Sequence, residues 1–173
     1  LVVAGYVDQG GSGIVRASLD SGAFDMFHFP DGMIGAKLEE LFGSEIDGSS
    51  GQLPGSDSPG VALYATLVDG AFDSTAPYAA ESYDAAALLM LAMQAAGSSD
   101  PQAYKNNVID VANAPGEKIY PGELGKALDI LAAGGAIDYV GATAVELIGP
   151  GESAGNYREI HFEGGKITTT KFR

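Results

Sequence analysis

The stretch from Tyr78 to Gly97 reads YAAESYDAAALLMLAMQAAG and contains the longest apolar run of the sequence, Ala85 to Met93. Alanine, leucine and methionine favour a helix, and Gly97 is the residue type that ends one in the left-handed conformation. Because the sequence is apolar nearly all round, we expect a long helix over residues 75–96 that is buried on most of its sides. The run is far shorter than the roughly 20 residues of a membrane span, so it predicts a globular protein.

The sequence before this helix alternates short apolar strands with helices. Strands are predicted at 1–5 and 26–29, and helices after the glycine-rich turn at 10–13 and between Ile34 and Gly43. This alternation is typical of a parallel sheet covered by helices on both faces. At the other end, Gly164 and Gly165 join two β-branched segments and predict a hairpin. We therefore predict an α/β protein.

Composition excludes several classes of function. The 173 residues carry 23 acidic and nine basic side chains, a formal net charge of −14, and no cysteine. A surface of that sign repels phosphate groups, so we expect no nucleic acid partner. The sequence lacks a complete phosphate-binding loop, a serine nucleophile motif with a base, and zinc or calcium motifs. We therefore expect no catalytic residue, no metal site and no cofactor.

Two stretches rich in glycine, serine and proline interrupt the pattern, and we interpret them as hinges near 50–60 and 149–155. A third feature is the opening at Leu1, which leads directly into an apolar strand. We interpret this opening as that of a fragment. The chain is then expected to lack part of the fold to which it belongs.

The turn Pro30-Asp31-Gly32 is the strongest candidate for a binding site. An aspartate just beyond a strand of a parallel sheet lies at the crevice where α/β proteins bind ligands, and it can present its carboxylate to a cation. The alternative is local, because Asp31 can form an Asx turn and cap the following helix. The residues alone leave both roles open.

Several segments, in the same order along the chain, resemble the periplasmic binding proteins for branched-chain amino acids, the solute-binding subunits of ABC importers. These segments are the opening strand with Gly5-Tyr6, the turn Phe29-Pro30-Asp31-Gly32, the helix with Tyr78-Ala79-Ala80-Glu81-Ser82-Tyr83-Asp84-Ala85-Ala86, the sequence Asp138-Tyr139-Val140-Gly141-Ala142-Thr143, and the hairpin with Glu163-Gly164-Gly165-Lys166. The resemblance spans nearly all of the chain.

The resemblance implies the type I periplasmic-binding-protein fold, in which two Rossmann-like lobes, each a parallel sheet flanked by helices, close on a ligand by hinge motion. The chain resembles the C-terminal half of such a protein and contributes to both lobes. Residues 1–52 and 152–173 are then segments of the C-terminal lobe, and residues 53–151 are a segment of the N-terminal lobe.

Three ligand-binding residues are implied by the same resemblance. Asp31 stands where the family commonly has an acidic residue for the ammonium group of the ligand. Tyr6 lies near a tyrosine that lines the same site, and Tyr83 matches an aromatic position on the helix of the N-terminal lobe. A carboxylate suits an ammonium group, and tyrosine offers an apolar wall with a polar tip. Groups for the ligand carboxylate are expected in the missing N-terminal half.

The leading hypothesis is a periplasmic, non-enzymatic substrate-binding subunit of an ABC transporter. It would capture a branched-chain amino acid or a related small solute between its lobes and deliver it to membrane permease subunits. The alternative is a ligand-sensing domain of a receptor or regulator on the same scaffold. Exposed strand edges and apolar patches are expected where the N-terminal half is missing, and they favour self-association of the fragment.

Overall fold

The computed structural model describes residues 1–149 and 151–173; Pro150, which falls in the second predicted hinge, lies outside the described residues. The chain divides into two compact units. Unit 1 consists of Leu1–Gly55 and Tyr157–Arg173, and unit 2 consists of Ser56–Asn156. The sequence placed the lobe boundaries after residues 52 and 151, and the assignment of the two units to the lobes of a larger protein stays a prediction.

The helices and strands are numbered in chain order. The helices are α1 (Ser12–Ser21), α2 (Ala36–Phe42), α3 (Pro59–Leu67), α4 (Ala79–Ala96), α5 (Pro101–Tyr104), α6 (Asn107–Ala112) and α7 (Leu124–Ala132). The strands are β1 (His28–Phe29), β2 (Ser50–Pro54), β3 (Glu117–Ile119), β4 (Ile137–Tyr139), β5 (Leu147–Gly149), β6 (Glu152–Ser153), β7 (Tyr157–Glu163) and β8 (Lys166–Phe172). The α/β class predicted from the sequence is confirmed.

Unit 1 is built on a sheet with the strand order β1-β2-β7-β8. Strand β1 pairs with β2 in parallel, and Val2 adds a single parallel bridge to His28 on the other side of β1. The β2–β7 and β7–β8 pairs are antiparallel. The sheet is therefore mixed and not purely parallel, because the last two strands form the predicted hairpin, with Gly164 and Gly165 at φ 59° and 75°.

The core of unit 1 lies against this sheet. Its aromatic centre is formed by Phe29, whose ring centroid lies 5.7 Å from that of Phe27 and 5.6 Å from that of Phe162. Of the strand predicted at 1–5, Val3 is buried but Leu1 and Val2 are exposed. Instead of a buried strand, this segment forms a single bridge at the side of the sheet. In the part of the chain that the structure describes, no strand pairs with its outer side.

Unit 2 contains the parallel pair β3–β4, the separate antiparallel pair β5–β6, and the long helix α4. Helix α4 ends at Gly97 in the left-handed conformation, as predicted. Its buried residues follow the helical spacing of one face and are Asp84, Ala87, Leu88, Leu91 and Ala92. Leu89 and Met90 are 43% and 50% exposed, so the expectation of burial on most sides is wrong: the helix packs on the rest of unit 2 with one face.

Helix α5 begins as the sequence indicates, because the Asp100 carboxylate accepts a hydrogen bond from the Gln102 amide at 2.9 Å and Pro101 is the first helical residue. The helix predicted to continue to Pro115 is divided into α5 and α6. Asn106 and Asn107, residues of low helix propensity, stand at the division. Across residues 1–149 and 151–173, no helix is long and apolar enough to cross a membrane.

Helix α3 begins in close contact with the backbone that follows β4. A Cβ atom at Gly60 would overlap the carbonyl oxygen of Gly141 and would lie 3.1 Å from the Cα atom of Ala142. The Ser58 hydroxyl donates a hydrogen bond to the Ala142 carbonyl at 3.2 Å. Backbone atoms cannot move aside as a flexible side chain can, so this approach requires glycine at position 60.

Substitution of Gly60 tests this contact. We expect Gly60→Ala to lower the free energy of unfolding by about 1–3 kcal/mol, because the added methyl group overpacks a backbone contact. The matched control is Gly125→Ala in α7, where a Cβ would meet no atom within 4 Å. That variant is expected to be up to about 1 kcal/mol more stable than the parent, because alanine favours a helix. Urea unfolding measures both, and equal effects of the two substitutions would contradict the packing.

Candidate functional site

The parallel strands of unit 1 bring two loops to one edge of the sheet, the edge at which the carboxyl ends of these strands lie. Val2 runs parallel to β1, and β1 runs parallel to β2, so the chain leaves all three at the same edge. The segment after Val2 leads to Tyr6, and the segment after β1 leads to Asp31. Ligands of α/β proteins bind outside the carboxyl ends of such strands. This edge of unit 1 is therefore the candidate functional site.

The two loops touch through glycine. A Cβ atom at Gly32 would lie 2.8 Å from the carbonyl oxygen of Gly5 and 2.8 Å from Cδ1 of Tyr6. The Tyr6 ring therefore lies against Gly32, directly beside Asp31 in the chain. Tyr6 is also 63% exposed, so most of its ring remains accessible at the edge. The structure thus places two of the three predicted site residues in neighbouring loops of unit 1, with the Tyr6 ring against the residue that follows Asp31.

A second contact holds the loop after Tyr6 in place. Residues Val7–Gly11 form a turn whose backbone departs from helical geometry at Gln9 and Gly10, and the Gly11 amide closes it with a hydrogen bond to the Tyr6 carbonyl at 3.0 Å. Gly11 packs on the side chain of Met33, which is completely buried. A Cβ atom at position 11 would overlap the Met33 sulfur. Packing of small residues therefore fixes the backbone on both sides of the candidate site.

Asp31 is half-buried and opens a short 3-10 turn, Asp31–Met33. Its Oδ1 atom accepts a hydrogen bond from the Gly32 amide at 2.6 Å, and its carbonyl accepts one from Ile34 at 3.0 Å. Helix α2 begins only at Ala36, after Gly35, so Asp31 does not cap that helix. The local role left open by the sequence is thus confined to the turn itself, and the ligand role of Asp31 stays a prediction.

Tyr83 belongs to unit 2, where it is half-buried on α4. Its ring centroid lies 5.2 Å from that of Tyr64, which is buried, and its hydroxyl oxygen accepts a hydrogen bond from the Gly122 amide at 3.4 Å. Burial raises the pKa of Tyr64, and the negative charge of Asp84 adds to the effect. Tyr83 therefore packs in an aromatic pair of unit 2, and a contact with ligand stays a prediction.

The residue after Tyr83 has a role that the sequence did not reveal. Asp84 is 2% exposed and accepts four hydrogen bonds. Oδ1 accepts from the Tyr139 hydroxyl at 2.9 Å and from the Ala142 amide at 2.9 Å. Oδ2 accepts from the amide and the hydroxyl of Thr143, at 2.8 Å and 2.7 Å. One carboxylate thus ties α4 to the end of β4 and to the loop that follows it.

The electrostatics of this network are those of a buried anion satisfied by neutral donors. Burial raises the pKa of Tyr139 far above its ordinary value, and the neighbouring Asp84 carboxylate raises it further. Tyr139 therefore stays protonated, and its hydroxyl group donates a hydrogen bond to Asp84. The signal in the sequence was the pair of motifs that contain Tyr83-Asp84 and Asp138-Tyr139, although their contact required the fold.

Within the described residues, 1–149 and 151–173, no group of three or more histidine, aspartate and glutamate side chains is placed to hold a metal ion. His28 lies in the sheet of unit 1, where its Nδ1 atom is 3.0 Å from the Ser50 hydroxyl. The polar and aromatic groups predicted for the candidate site are the Asp31 carboxylate and the Tyr6 ring.

Substitution of Asp84 tests the buried network. We expect Asp84→Asn to lower the free energy of unfolding by about 3 kcal/mol, because an amide NH₂ then faces donors and leaves them unpaired in the interior. Tyr139→Phe removes one donor and leaves the other three hydrogen bonds, so its expected loss is smaller, about 1–2 kcal/mol. Chemical unfolding followed by circular dichroism gives both values. A loss below about 1 kcal/mol for Asp84→Asn would show that the network adds little.

Comparison with known proteins supports this reading of the fold. No family model matches the chain. A substrate-binding protein of a chemotactic signal transduction system from Halobacterium salinarum, BasB, is 39% identical over 67 residues, which cover 39% of this chain and 16% of that protein. The crystal structure of the leucine-binding protein LivK from Thermotoga maritima superposes with a TM-score of 0.68 at 16% identity and covers 97% of this chain.

The chain spans only part of these proteins, 42% of LivK and 16% of BasB. Both are named for binding a solute or substrate, and neither is named as an enzyme. The match to LivK includes helices and strands of both units, because it extends over nearly the whole chain. The chain has the fold of the type I periplasmic binding proteins.

Proposed function

We propose that this chain is part of a non-enzymatic solute-binding protein that captures an amino acid or a related small solute for an ABC importer. The observation that carries the proposal is the edge of unit 1 where the Tyr6 ring lies against Gly32, the residue that follows Asp31. A carboxylate pairs with an ammonium group, and the adjoining ring offers an apolar wall to a side chain. An ammonium group and an apolar side chain are two of the features that an α-amino acid such as leucine presents.

The comparisons support a solute-binding role. LivK is a leucine-binding protein and BasB a substrate-binding protein, and the fold shared with LivK is one that binds small solutes. Because the chain corresponds to 42% of LivK, we propose that a further part of a longer protein supplies the groups for the ligand carboxylate. In this proposal Tyr83 is a further ligand-binding residue of the full-length protein, and residues 1–52 with 152–173 and residues 53–151 act as the two lobes.

Location and partners follow from the same proposal. A solute-binding protein with this fold acts outside the cytoplasmic membrane, so we place the chain in the periplasm or at the cell surface. Its partners are then the permease subunits of an importer. We also propose that the chain by itself associates with further copies, because the strand edge at Leu1 and Val2 is exposed.

A second function is favoured by the similarity to BasB, which is named for chemotactic signal transduction. On this alternative the bound solute is reported to a signalling partner instead of being transported. Deleting the gene and measuring both uptake of the bound solute and the swimming response to it separates the two. Lost uptake with a normal response indicates transport, whereas normal uptake with a lost response indicates sensing.

The ligand role of Asp31 is tested in the full-length protein that contains this chain. We expect Asp31→Asn to weaken binding of leucine, or of the best amino acid in a calorimetric panel, by about 30-fold or more, because an ammonium group loses its charged partner. Asparagine retains the oxygen that accepts the Gly32 amide, so the turn is preserved and the melting temperature is expected to stay unchanged.

Two controls sharpen this measurement. Glu40→Gln removes an exposed carboxylate of α2 and is expected to leave affinity unchanged. The second control is 4-methylpentanoate, which is leucine without its ammonium group, and Asp31→Asn is expected not to weaken its binding, because this ligand has no charge that pairs with Asp31. A loss of less than about fivefold for the amino acid in Asp31→Asn would overturn the ammonium role and leave the turn as the function of Asp31.

A further inference from the structure

The negative charge of the chain is concentrated in unit 2. Residues Ser56–Asn156 carry 13 of the 23 acidic side chains but only three of the nine basic side chains, which are Lys105, Lys118 and Lys126. Unit 1 carries the other ten acidic and six basic side chains. The formal charge is therefore −10 on unit 2 and −4 on unit 1. The proposed binding function does not explain this difference.

Most of the acidic groups of unit 2 lie on its surface. The exposed ones are Asp57, Asp69, Asp73, Asp100, Asp110, Glu117, Asp129, Glu146 and Glu152. Lys126 forms ion pairs with two acidic residues of unit 2, because its Nζ atom lies 2.7 Å from Glu117 and 3.3 Å from Glu123. Lys105 donates to the Gln102 side chain at 2.8 Å. Three lysines cannot neutralise 13 carboxyl groups, so unit 2 keeps a large net negative charge at neutral pH.

Such a charge acts against the folded state. Folding brings the carboxylates closer together than they are in the unfolded chain, so their mutual repulsion lowers stability. The range of that repulsion is set by salt, about 10 Å at 0.1 M and about 3 Å at 1 M ionic strength. Because globular proteins are only marginally stable, the sum of many weak repulsions is a sizeable fraction of the free energy of unfolding.

We propose that unit 2 is a salt-dependent folding unit, which reaches full stability only when molar salt screens its carboxylates, whereas unit 1 depends on salt much less. The inference goes beyond solute binding and does not rest on it. It also has a consequence within the chain: at low ionic strength the local stability of α4, β3 and β4 falls before that of the sheet β1-β2-β7-β8.

Hydrogen exchange of the chain in 0.05 M and 2 M KCl tests the proposal, with rates corrected by an unstructured peptide in each buffer. Amides of β3, β4 and α4 are expected to gain about tenfold or more in protection at high salt, and those of β2 and β7 less than about threefold. An equal gain in both units would overturn the proposal, because salt then acts by strengthening apolar burial in general. No gain in either unit would also overturn it.

Neutralising variants give the matched control. One variant changes four exposed carboxylates of unit 2: Asp69→Asn, Asp129→Asn, Glu146→Gln and Glu152→Gln. The other changes four exposed carboxylates of unit 1: Asp8→Asn, Asp25→Asn, Glu40→Gln and Glu163→Gln. The first is expected to protect unit 2 at low salt and to remove most of its response to KCl, whereas the second leaves unit 2 unchanged. Equal behaviour of the two variants would contradict the assignment to unit 2.

Discussion

Removing a carboxylate from water is unfavourable unless donors replace the water, and this constraint governs unit 2. Asp84 is buried in α4 and meets it with four hydrogen bonds from the end of β4 and the next loop. Side-chain donors come from Tyr139 and Thr143, and main-chain donors come from Ala142 and Thr143. Because each donor must point at the same two oxygen atoms, the register of α4 against β4 is fixed.

The same constraint extends to the small residues around the carboxylate. Gly141 has a φ of 62°, and a Cβ atom there would lie 2.6 Å from Cγ of Asp84. The carbonyl of Gly141 in turn faces Gly60 at the start of α3. Glycine at both positions lets the backbone approach the buried anion and lets α3 approach that backbone. Three segments distant in sequence therefore share one polar centre.

Unit 1 places its candidate site by a different means, the close packing of loops at the carboxyl edge of parallel strands. Because Gly32 has no side chain, the Tyr6 ring and the Gly5 carbonyl can lie against it, and Gly11 leaves room for Met33 in the same way. This arrangement holds the exposed Tyr6 ring against the turn that contains the half-buried Asp31.

The sequence by itself determined features that depend on neighbouring residues. These are the C-terminal end of α4 at Gly97, the start of α5 at Asp100, the hairpin at Gly164, and the α/β class. It also identified Asp31 as a candidate, because its turn follows a strand. Only the tertiary structure decided that the sheet of unit 1 is mixed, that α4 buries one face, and that the Tyr6 ring lies against Gly32. The donors of Asp84 likewise come from residues 55–59 positions away. Contacts at such separations depend on how whole elements pack, which local pattern does not encode.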